Sequence, residues 1–334
     1  MISNLYYLFL RWPVFIRMLI LALAVICSFG FIIHLIEPHR FPTVFIGIYW
    51  SVITAATVGY GDLYPITNAG KLVSIFLVLT GVGVLSSYFV SLSAAAVSSQ
   101  NAYMEGKEMF KGRNHCIIVG WNERASTVIE HLIKNDASKP IVLIDHSLDQ
   151  NPYPKREVIF IKGKPHNDET LKRASLLSAE CVLITADQNS DELHADMNSI
   201  MILLTVKGIH PQVFCAVEIL KEENVSNARR AGADEVIQTN MQTSSIMFNS
   251  LVSHGISDSI LSILTHSNGN HLQYTQATEL WIGKTFKEVG LALQEERKLL
   301  IGLRRAEETI INPSPLSPFL PGDELLIISG DSIL

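Results

Sequence analysis

Two apolar segments near the N-terminus constrain the fold of this 334-residue chain more than any other feature. Residues 18–36 are apolar apart from Ser28 and His34, and residues 72–97 form a second run of similar character. A helix of about 20 apolar residues crosses the hydrocarbon core of a bilayer, so both runs are long enough to span it. The first run is long for a signal peptide and shows no small-residue cleavage site. The sequence therefore predicts a multi-pass membrane protein with a transmembrane domain over residues 1–97.

The basic residues around these segments predict the orientation in the membrane. Arg11 and Arg17 precede the first span, and Lys107, Lys111 and Arg113 follow the second. Because Lys and Arg accumulate on the cytoplasmic side, we expect both termini to be cytoplasmic, with the chain in the plasma (inner) cell membrane. The net charge of −6 argues against a nucleic-acid partner.

A third apolar segment, residues 42–55, lies between the spans and is too short to cross the bilayer. It must enter the membrane and return, and irregular backbone at that depth is tolerated only where protein buries it or where it lines a water-filled path. The motif TVGYGD follows directly. Its glycines can adopt positive φ angles, so that successive carbonyl oxygens point to one side. Four copies around an axis would then form oxygen rings that replace the water shell of K⁺, as in potassium-channel selectivity filters.

The sequence thus predicts a potassium selectivity filter, with K⁺ as the permeant ion and a homotetramer as the working unit. The carbonyl groups of residues 57–60 would line it, with the Thr57 hydroxyl at the inner end and Asp62 at the outer mouth. The predicted filter residues are Thr57, Val58, Gly59, Tyr60, Gly61 and Asp62.

The second span contains two glycines, Gly81 and Gly83, near its middle. Glycine weakens a helix interior, which favours a gating hinge at these positions. Close packing of helices in lipid also selects small residues, and the sequence leaves both readings open.

The rest of the chain alternates short apolar runs with helical patterns. Strands are predicted over 115–120, 140–145, 157–163, 180–186 and 212–218, with a sixth short strand at EVIQ, and helices over 123–134, 168–176, 190–207 and 221–231. Continuous apolar runs are typical of parallel strands buried on both faces, so we expect a doubly wound, Rossmann-like sheet. A long crossover helix over 241–264 and a small α+β lobe over 271–334 follow. The four cysteines show no CxxC spacing and are interpreted as buried apolar side chains in a reducing compartment.

Two spans around TVGYGD, followed by KGRNHCIIVGWNERASTVIEHLI, resemble the prokaryotic two-transmembrane potassium channels with a C-terminal RCK (regulator of potassium conductance) domain. This resemblance implies an α-helical membrane pore unit followed by an α/β RCK domain, in which a cytoplasmic ring senses an intracellular ligand and gates the pore. It also implies that the crossover helices pair two copies and that the chain is not an enzyme. The predicted divisions are 1–97 (pore), 98–113 (linker), 114–240 (Rossmann-like lobe), 241–265 (crossover helices) and 271–334 (C-terminal lobe).

The sequence is compatible with several different gating ligands. A nucleotide such as NAD or ATP would bind at the first βα turn, but GWNERA places Asn122 where the dinucleotide fingerprint has its second glycine. Gly120 opens this turn, and Asp145 stands at the position of a ribose-binding acid. Calcium would use carboxylates after the fourth and fifth strands, and the predicted metal ligands are Asp187, Asp191, Glu218 and Glu222. Protons, through any of eleven histidines, and cyclic di-AMP at the C-terminal lobe are further candidates.

Two other functions would each explain part of the sequence. A membrane-anchored nucleotide-dependent oxidoreductase would explain the Rossmann pattern but not TVGYGD, and a potassium-transporter subunit would usually separate the pore from the RCK domain. Met104 and Met109 could start a separate soluble copy, which would give eight RCK domains per channel.

Overall fold

The computed structural model describes residues 12–136, 138–154, 158–264, 271–306 and 308–329. Its first three helices are α1 (Val14–Ile36), α2 (Val44–Ala55) and α3 (Asn68–Met104). Within the described ranges, α1 and α3 are long and apolar enough to cross a membrane, whereas α2 is shorter, so the two predicted spans and the short intervening helix are confirmed. Helix α3 runs on past residue 97, since residues 98–105 contain no Gly or Pro, and it ends before Gly106, whose φ is +64°.

The pore unit is held together where α1 meets α2. A Cβ added to Gly47 would lie 2.1 Å from the carbonyl oxygen of Gly30, and one added to Gly30 would lie 2.6 Å from the backbone of Ile48. The two helices therefore cross backbone to backbone, a contact that only small residues allow in membranes. A buried cluster next to this crossing contains Ile33, Phe41, Trp50, Ala55 and Leu77, which belong to all three helices and the α1–α2 loop.

Six strands form the predicted Rossmann-like sheet, in the order β3-β2-β1-β4-β5-β6. They are β1 (His115–Val119), β2 (Ile141–Asp145), β3 (Val158–Lys162), β4 (Ala179–Ile184), β5 (Phe214–Glu218) and β6 (Glu235–Ile237). The helices between them are α4 (Glu123–Asn135), α5 (Asp168–Arg173), α6 (Glu192–Ile209) and α7 (Glu222–Arg230). Every residue of β1 and β2 is buried, as expected for parallel strands covered on both faces. The predicted α5 stops early, because Ser175 adopts a left-handed φ of +53°.

The predicted long crossover helix is two helices, α8 (Thr239–Val252) and α9 (Ile256–Leu264). Gly255, with a φ of +86°, lies in the break between them, which the continuous apolar pattern did not reveal. The C-terminal lobe contains β7 (His271–Gln276), α10 (Phe286–Glu295), β8 (Lys298–Arg305), β9 (Glu308–Ile311) and β10 (Glu324–Ser329). Its antiparallel sheet has the order β7-β10-β8-β9, and β9 was not predicted.

The chain divides into two compact units. The first contains residues 1–191, 197–217 and 228–235, and the second contains residues 192–196, 218–227 and 236–334. The pore helices, the linker and the first four strands of the sheet thus belong to one unit.

Candidate functional site

The TVGYGD segment has an alternating backbone. Thr57, Gly59 and Gly61 have φ angles of +59°, +61° and +79°, whereas Val58 and Tyr60 are not in this region. Alternation of positive and negative φ turns successive carbonyl groups toward the same side of the segment. The two glycines adopt this geometry freely, but a β-branched threonine does so rarely, so the neighbouring structure must hold Thr57 in place.

The C-terminal end of α2 lies directly before this segment. The amides of Thr57 and Val58 donate to the carbonyl oxygens of Thr54 and Ile53, at 3.1 and 3.0 Å. The C-terminal end of a helix carries partial negative charge, which stabilises a cation placed near it. Added Cβ atoms on Gly59 and Gly61 would meet no atom within 4 Å, so one face of the segment is open in the single chain.

Glu37, at the end of α1, braces the chain after the filter motif. Its buried carboxylate accepts hydrogen bonds from the amides of Ile66 and Thr67 and from the Thr67 hydroxyl, at 2.6 to 3.1 Å. Sequence reasoning missed this residue, although an acid directly after an apolar span was a usable signal. The carboxylate ties α1 to the start of α3 and so fixes the chain that follows the TVGYGD motif.

Asp62 lies at the exposed end of the motif, beside a cation that the sequence did not indicate. Its carboxylate accepts from the amide of Leu63 at 3.0 Å, which orders its own turn. The Arg40 guanidinium donates to the carbonyl oxygen of Asp62 at 3.3 Å and lies over the ring of Tyr64, 5.1 Å from the centroid. A positive charge therefore stands next to the end of the predicted filter.

The two glycines of α3 have different surroundings. A Cβ on Gly81 would touch the Cβ of Ala55 at 3.0 Å, so Gly81 serves close packing against α2. A Cβ on Gly83 would meet nothing within 4 Å, and the Ser87 hydroxyl donates to the Gly83 carbonyl oxygen at 2.8 Å. Such bonds to the preceding turn favour bending of a helix. Packing explains Gly81 but leaves Gly83 without a packing role in the single chain.

A second candidate site is a cleft of 230 Å³ where β1 and β4 end. The sheet order reverses here, which is where open α/β sheets bind ligands. Its lining includes Gly120, Trp121, Asn122, Asp145, Thr185 and Ala186, so the three residues predicted for a nucleotide site share one cleft.

The cleft is tied together by its own polar groups. Asn122 caps α4 through the amide of Ala125 and donates its side-chain amide to the Ala186 carbonyl oxygen at 3.1 Å. Asp145 accepts from the amides of Trp121 and Ser147, one on each oxygen, at 2.9 and 2.6 Å. Asn122 therefore occupies the helix N-terminus that a pyrophosphate would use, and Asp145 shapes the turn after β2.

The predicted calcium ligands lie in separate local settings. Asp187 accepts from the amide of Asn189 and the hydroxyl of Ser190, at 2.9 and 2.7 Å. Asp191 is exposed, and so is Glu222 in the first turn of α7, whereas Glu218 is buried and accepts from the Thr239 hydroxyl. Across the residues that the structure describes, no group of three or more His, Cys, Asp or Glu could hold a metal ion.

The linker after α3 is bound to the Rossmann-like lobe. The Arg173 guanidinium donates to the carbonyl oxygens of Gly106, Glu108 and Lys162. The amide of Lys162 donates to Gly106 at 2.9 Å, and a Cβ on Gly106 would lie 2.5 Å from that nitrogen. Gly106 is required by both its positive φ and this close approach. Movement of the edge of the sheet would thus be transmitted directly to the end of α3.

Comparisons with known proteins agree with both parts of the chain. An ion-channel family (Ion_trans_2) matches residues 19–98, and the TrkA-N domain family matches residues 116–239. The Bacillus subtilis protein named as potassium channel protein YugO is 40% identical to this chain. The match covers 96% of this chain and 97% of YugO. The calcium-gated potassium channel TvoK of Thermoplasma volcanium is 28% identical over 75% of this chain and 72% of its own.

Among solved structures, the GsuK channel bound to NAD matches 99% of this chain with a TM-score of 0.51 and 19% identity. This chain spans 58% of that chain, and at this identity the match shows a shared fold. The YugO match covers nearly the whole of both sequences, and the two family matches fall on the pore helices and the parallel sheet. The chain belongs to the two-transmembrane potassium channels that carry a C-terminal TrkA-N (RCK) domain.

Proposed function

We propose that four copies of this chain assemble around one axis, and that the backbone of residues 57–61 forms the K⁺ selectivity filter at their centre. The observation that carries the proposal is the alternation of φ at Thr57, Gly59 and Gly61. It gives the segment the geometry in which carbonyl oxygens replace the hydration shell of an ion.

The exposure of the filter segment in one chain supports the tetramer. Residues 56–62 are all exposed, including Tyr60 at 69%, although they lie between two spans. Irregular backbone within a membrane needs protein or a water-filled path around it, and three further copies would supply both. With both termini in the cytoplasm, as the flanking basic residues favour, Asp62 faces outside and α3 lines the inner pore.

Flux measurements in liposomes test the selectivity. The purified channel should pass K⁺ and exclude Na⁺, and Gly59→Ala should lose this discrimination, because alanine disfavours the φ of +61°. Gly290→Ala in α10 is the matched control, since its Cβ would meet its nearest neighbour at 3.9 Å. Equal Na⁺ and K⁺ flux through the unaltered channel, or unchanged selectivity of Gly59→Ala, would contradict the proposal.

We further propose that a nucleotide bound in the cleft at Gly120, Asn122 and Asp145 gates the pore. The position of the cleft at the reversal of strand order supports a nucleotide, and the NAD-bound form of GsuK points to the same ligand class. Asn122 at the N-terminus of α4 predicts weaker recognition of a pyrophosphate than a glycine would allow. The calcium gating in the name of TvoK makes Ca²⁺ the second candidate, although the four predicted acidic ligands form no metal-binding group among the residues that the structure describes.

Titration of K⁺ flux against NAD, ADP and ATP tests the nucleotide, with Ca²⁺, pH and cyclic di-AMP as separate arms. Asn189, which lines the mouth of the cleft and is exposed, can be changed to Trp to fill the mouth. We expect Asn189→Trp to abolish the nucleotide response and leave K⁺ selectivity intact, whereas Asn135→Trp at the far end of α4 should respond normally. A response to Ca²⁺ alone would overturn the nucleotide assignment in favour of the acids.

A further inference from the structure

Two cysteines that are far apart in sequence meet in the parallel sheet. Cys116 on β1 and Cys181 on β4 are direct register partners, and their sulfur atoms lie 2.8 Å apart. Neighbouring strands are about 4.8 Å apart, and this spacing falls within the Cα separation of about 4.4 to 6.8 Å that a disulfide requires. The backbone thus already holds the pair at bonding range, without a change of register.

The two sulfur atoms differ in access and in charge. Cys116 is buried, whereas Cys181 is half-buried. The hydrogen bond between the two sulfurs, helped by the Lys139 ammonium group, lowers the pKa of Cys181 against the opposing effects of burial and of Glu180, the ion-pair partner of Lys139. The same hydrogen bond, together with burial, raises the pKa of Cys116. Cys181 therefore has the properties of an attacking thiolate, and Cys116 is the thiol within reach of its sulfur.

We propose that Cys116 and Cys181 form a hydroperoxide-sensitive dithiol in the RCK domain of this channel. The Cys181 thiolate attacks one oxygen of H₂O₂, the O–O bond breaks, and the leaving hydroxide takes up a proton to become water. The sulfur is now a sulfenic acid. Cys116 gives up its proton and attacks this sulfur, and a second water leaves as the S–S bond forms. Two thiols are oxidised by two electrons and one peroxide is reduced to two waters.

The position of the pair gives the modification a route to the pore. His115, directly before Cys116, packs edge-on against Phe110 of the linker, with the two ring centroids 4.5 Å apart. The amide of Asn114 donates to the carbonyl oxygen of Ser178 at 2.9 Å, one residue before β4 begins. A bond between β1 and β4 would form beside the contacts through which the linker meets the lobe. Disulfides in cytoplasmic proteins are usually transient and regulatory rather than structural, which fits this placement.

Peptide mapping of the full-length channel tests the dithiol. The protein is treated with H₂O₂, its free thiols are alkylated, and the digest is searched for a linked Cys116–Cys181 peptide that a reducing agent such as dithiothreitol releases. Cys116→Ser should leave a sulfenic acid at Cys181 that dimedone traps, and Cys181→Ser should give neither product. Cys27→Ser and Cys215→Ser are the controls and should form the bond normally, since burial raises the pKa of Cys215 to about 12.

The peptide map either supports or overturns the proposed dithiol. A linked peptide that forms in the unaltered channel and persists in both control variants supports the proposal. Absence of the linked peptide under peroxide, or an unreactive Cys181 in Cys116→Ser, overturns it. The peptide map of the unaltered protein is decisive even if a variant fails to fold.

Discussion

At the scale of single residues, the filter depends on a few side chains that hold an unfavourable backbone. Thr57 adopts a φ that β-branched residues avoid, at a cost of order 1–3 kcal/mol. Glu37 opposes relaxation at the other end of the segment, because its carboxylate fixes the amides of Ile66 and Thr67. The motif itself can be recognised in the sequence. The groups that hold it cannot, because one is a carboxylate twenty positions before Thr57 and the other is a backbone angle.

Arg40 supplies a prediction at this scale. Its guanidinium lies next to the carbonyl oxygen of Asp62, so it should repel K⁺ from the outer mouth. We expect Arg40→Gln to raise inward single-channel conductance, on the order of twofold, in about 10 mM salt, where the Debye length is about 30 Å. The effect should vanish in about 1 M salt, where the Debye length is about 3 Å.

Arg40→Lys separates the charge from the stacking on Tyr64. It keeps the positive charge but loses the planar group that lies over the ring, and its conductance should resemble that of the unaltered channel. A conductance increase of similar size in Arg40→Lys would show that the stacked geometry, rather than the charge, controls ion entry.

At the scale of elements, the linker between α3 and β1 acts as an extension of the Rossmann-like lobe. Arg173 reaches three linker and strand carbonyl groups, while the amide of Phe110 donates to the Arg173 carbonyl oxygen at 2.9 Å. The Ser175 hydroxyl donates to the Phe110 carbonyl oxygen at 2.6 Å. These bonds make residues 105–110 part of the Rossmann-like lobe.

Arg173→Ala should release this linker. Hydrogen bonds to a charged group contribute about 1.5–3 kcal/mol each, so we expect roughly tenfold or more faster cleavage at Lys107 and Lys111 by a lysine-specific protease. Limited proteolysis of the full-length channel measures the rate. Arg229→Ala on the exposed end of α7 is the control. Equal cleavage rates in both variants would mean that the backbone bonds alone hold the linker.

The sequence predicts those elements that have a continuous or periodic apolar pattern, and it does not predict those that depend on local turns or on pairing. The strands at 115–119 and 141–145 are continuous apolar runs, and their parallel pairing follows from the alternation with helices. The break at Gly255 and the strand β9 carry no periodic signal, because turns depend on local φ angles and short edge strands on pairing partners. The meeting of Cys116 with Cys181 depends on strand order, which places β1 beside β4 across 65 residues.

At the scale of the whole molecule, two exposed surfaces are those that the proposed assembly would cover. The first is the filter segment with its open face. The second is the α8–α9 surface, where none of the residues in either helix is buried. Seven of its large apolar side chains are more than half exposed: Met241, Met247, Phe248, Leu251, Val252, Leu261 and Leu264. A large exposed apolar patch outside the membrane-spanning helices marks an interface, and we expect it to pair two RCK domains.

Phe248→Asp tests the α8–α9 surface independently of the pore. A charge in a desolvated interface is costly, so the variant should lose at least about tenfold in hydrogen-exchange protection over residues 239–252. Native mass spectrometry should still give a tetramer, because in the proposed assembly the filter and α3 would hold the copies together in the membrane. Leu316→Asp, at a residue that is 77% exposed in the C-terminal lobe, is the matched control and should leave α8 protected.

If Phe248→Asp keeps its protection, α8 is covered by something other than a second RCK domain. If the tetramer dissociates instead, the cytoplasmic helices rather than the filter carry the assembly.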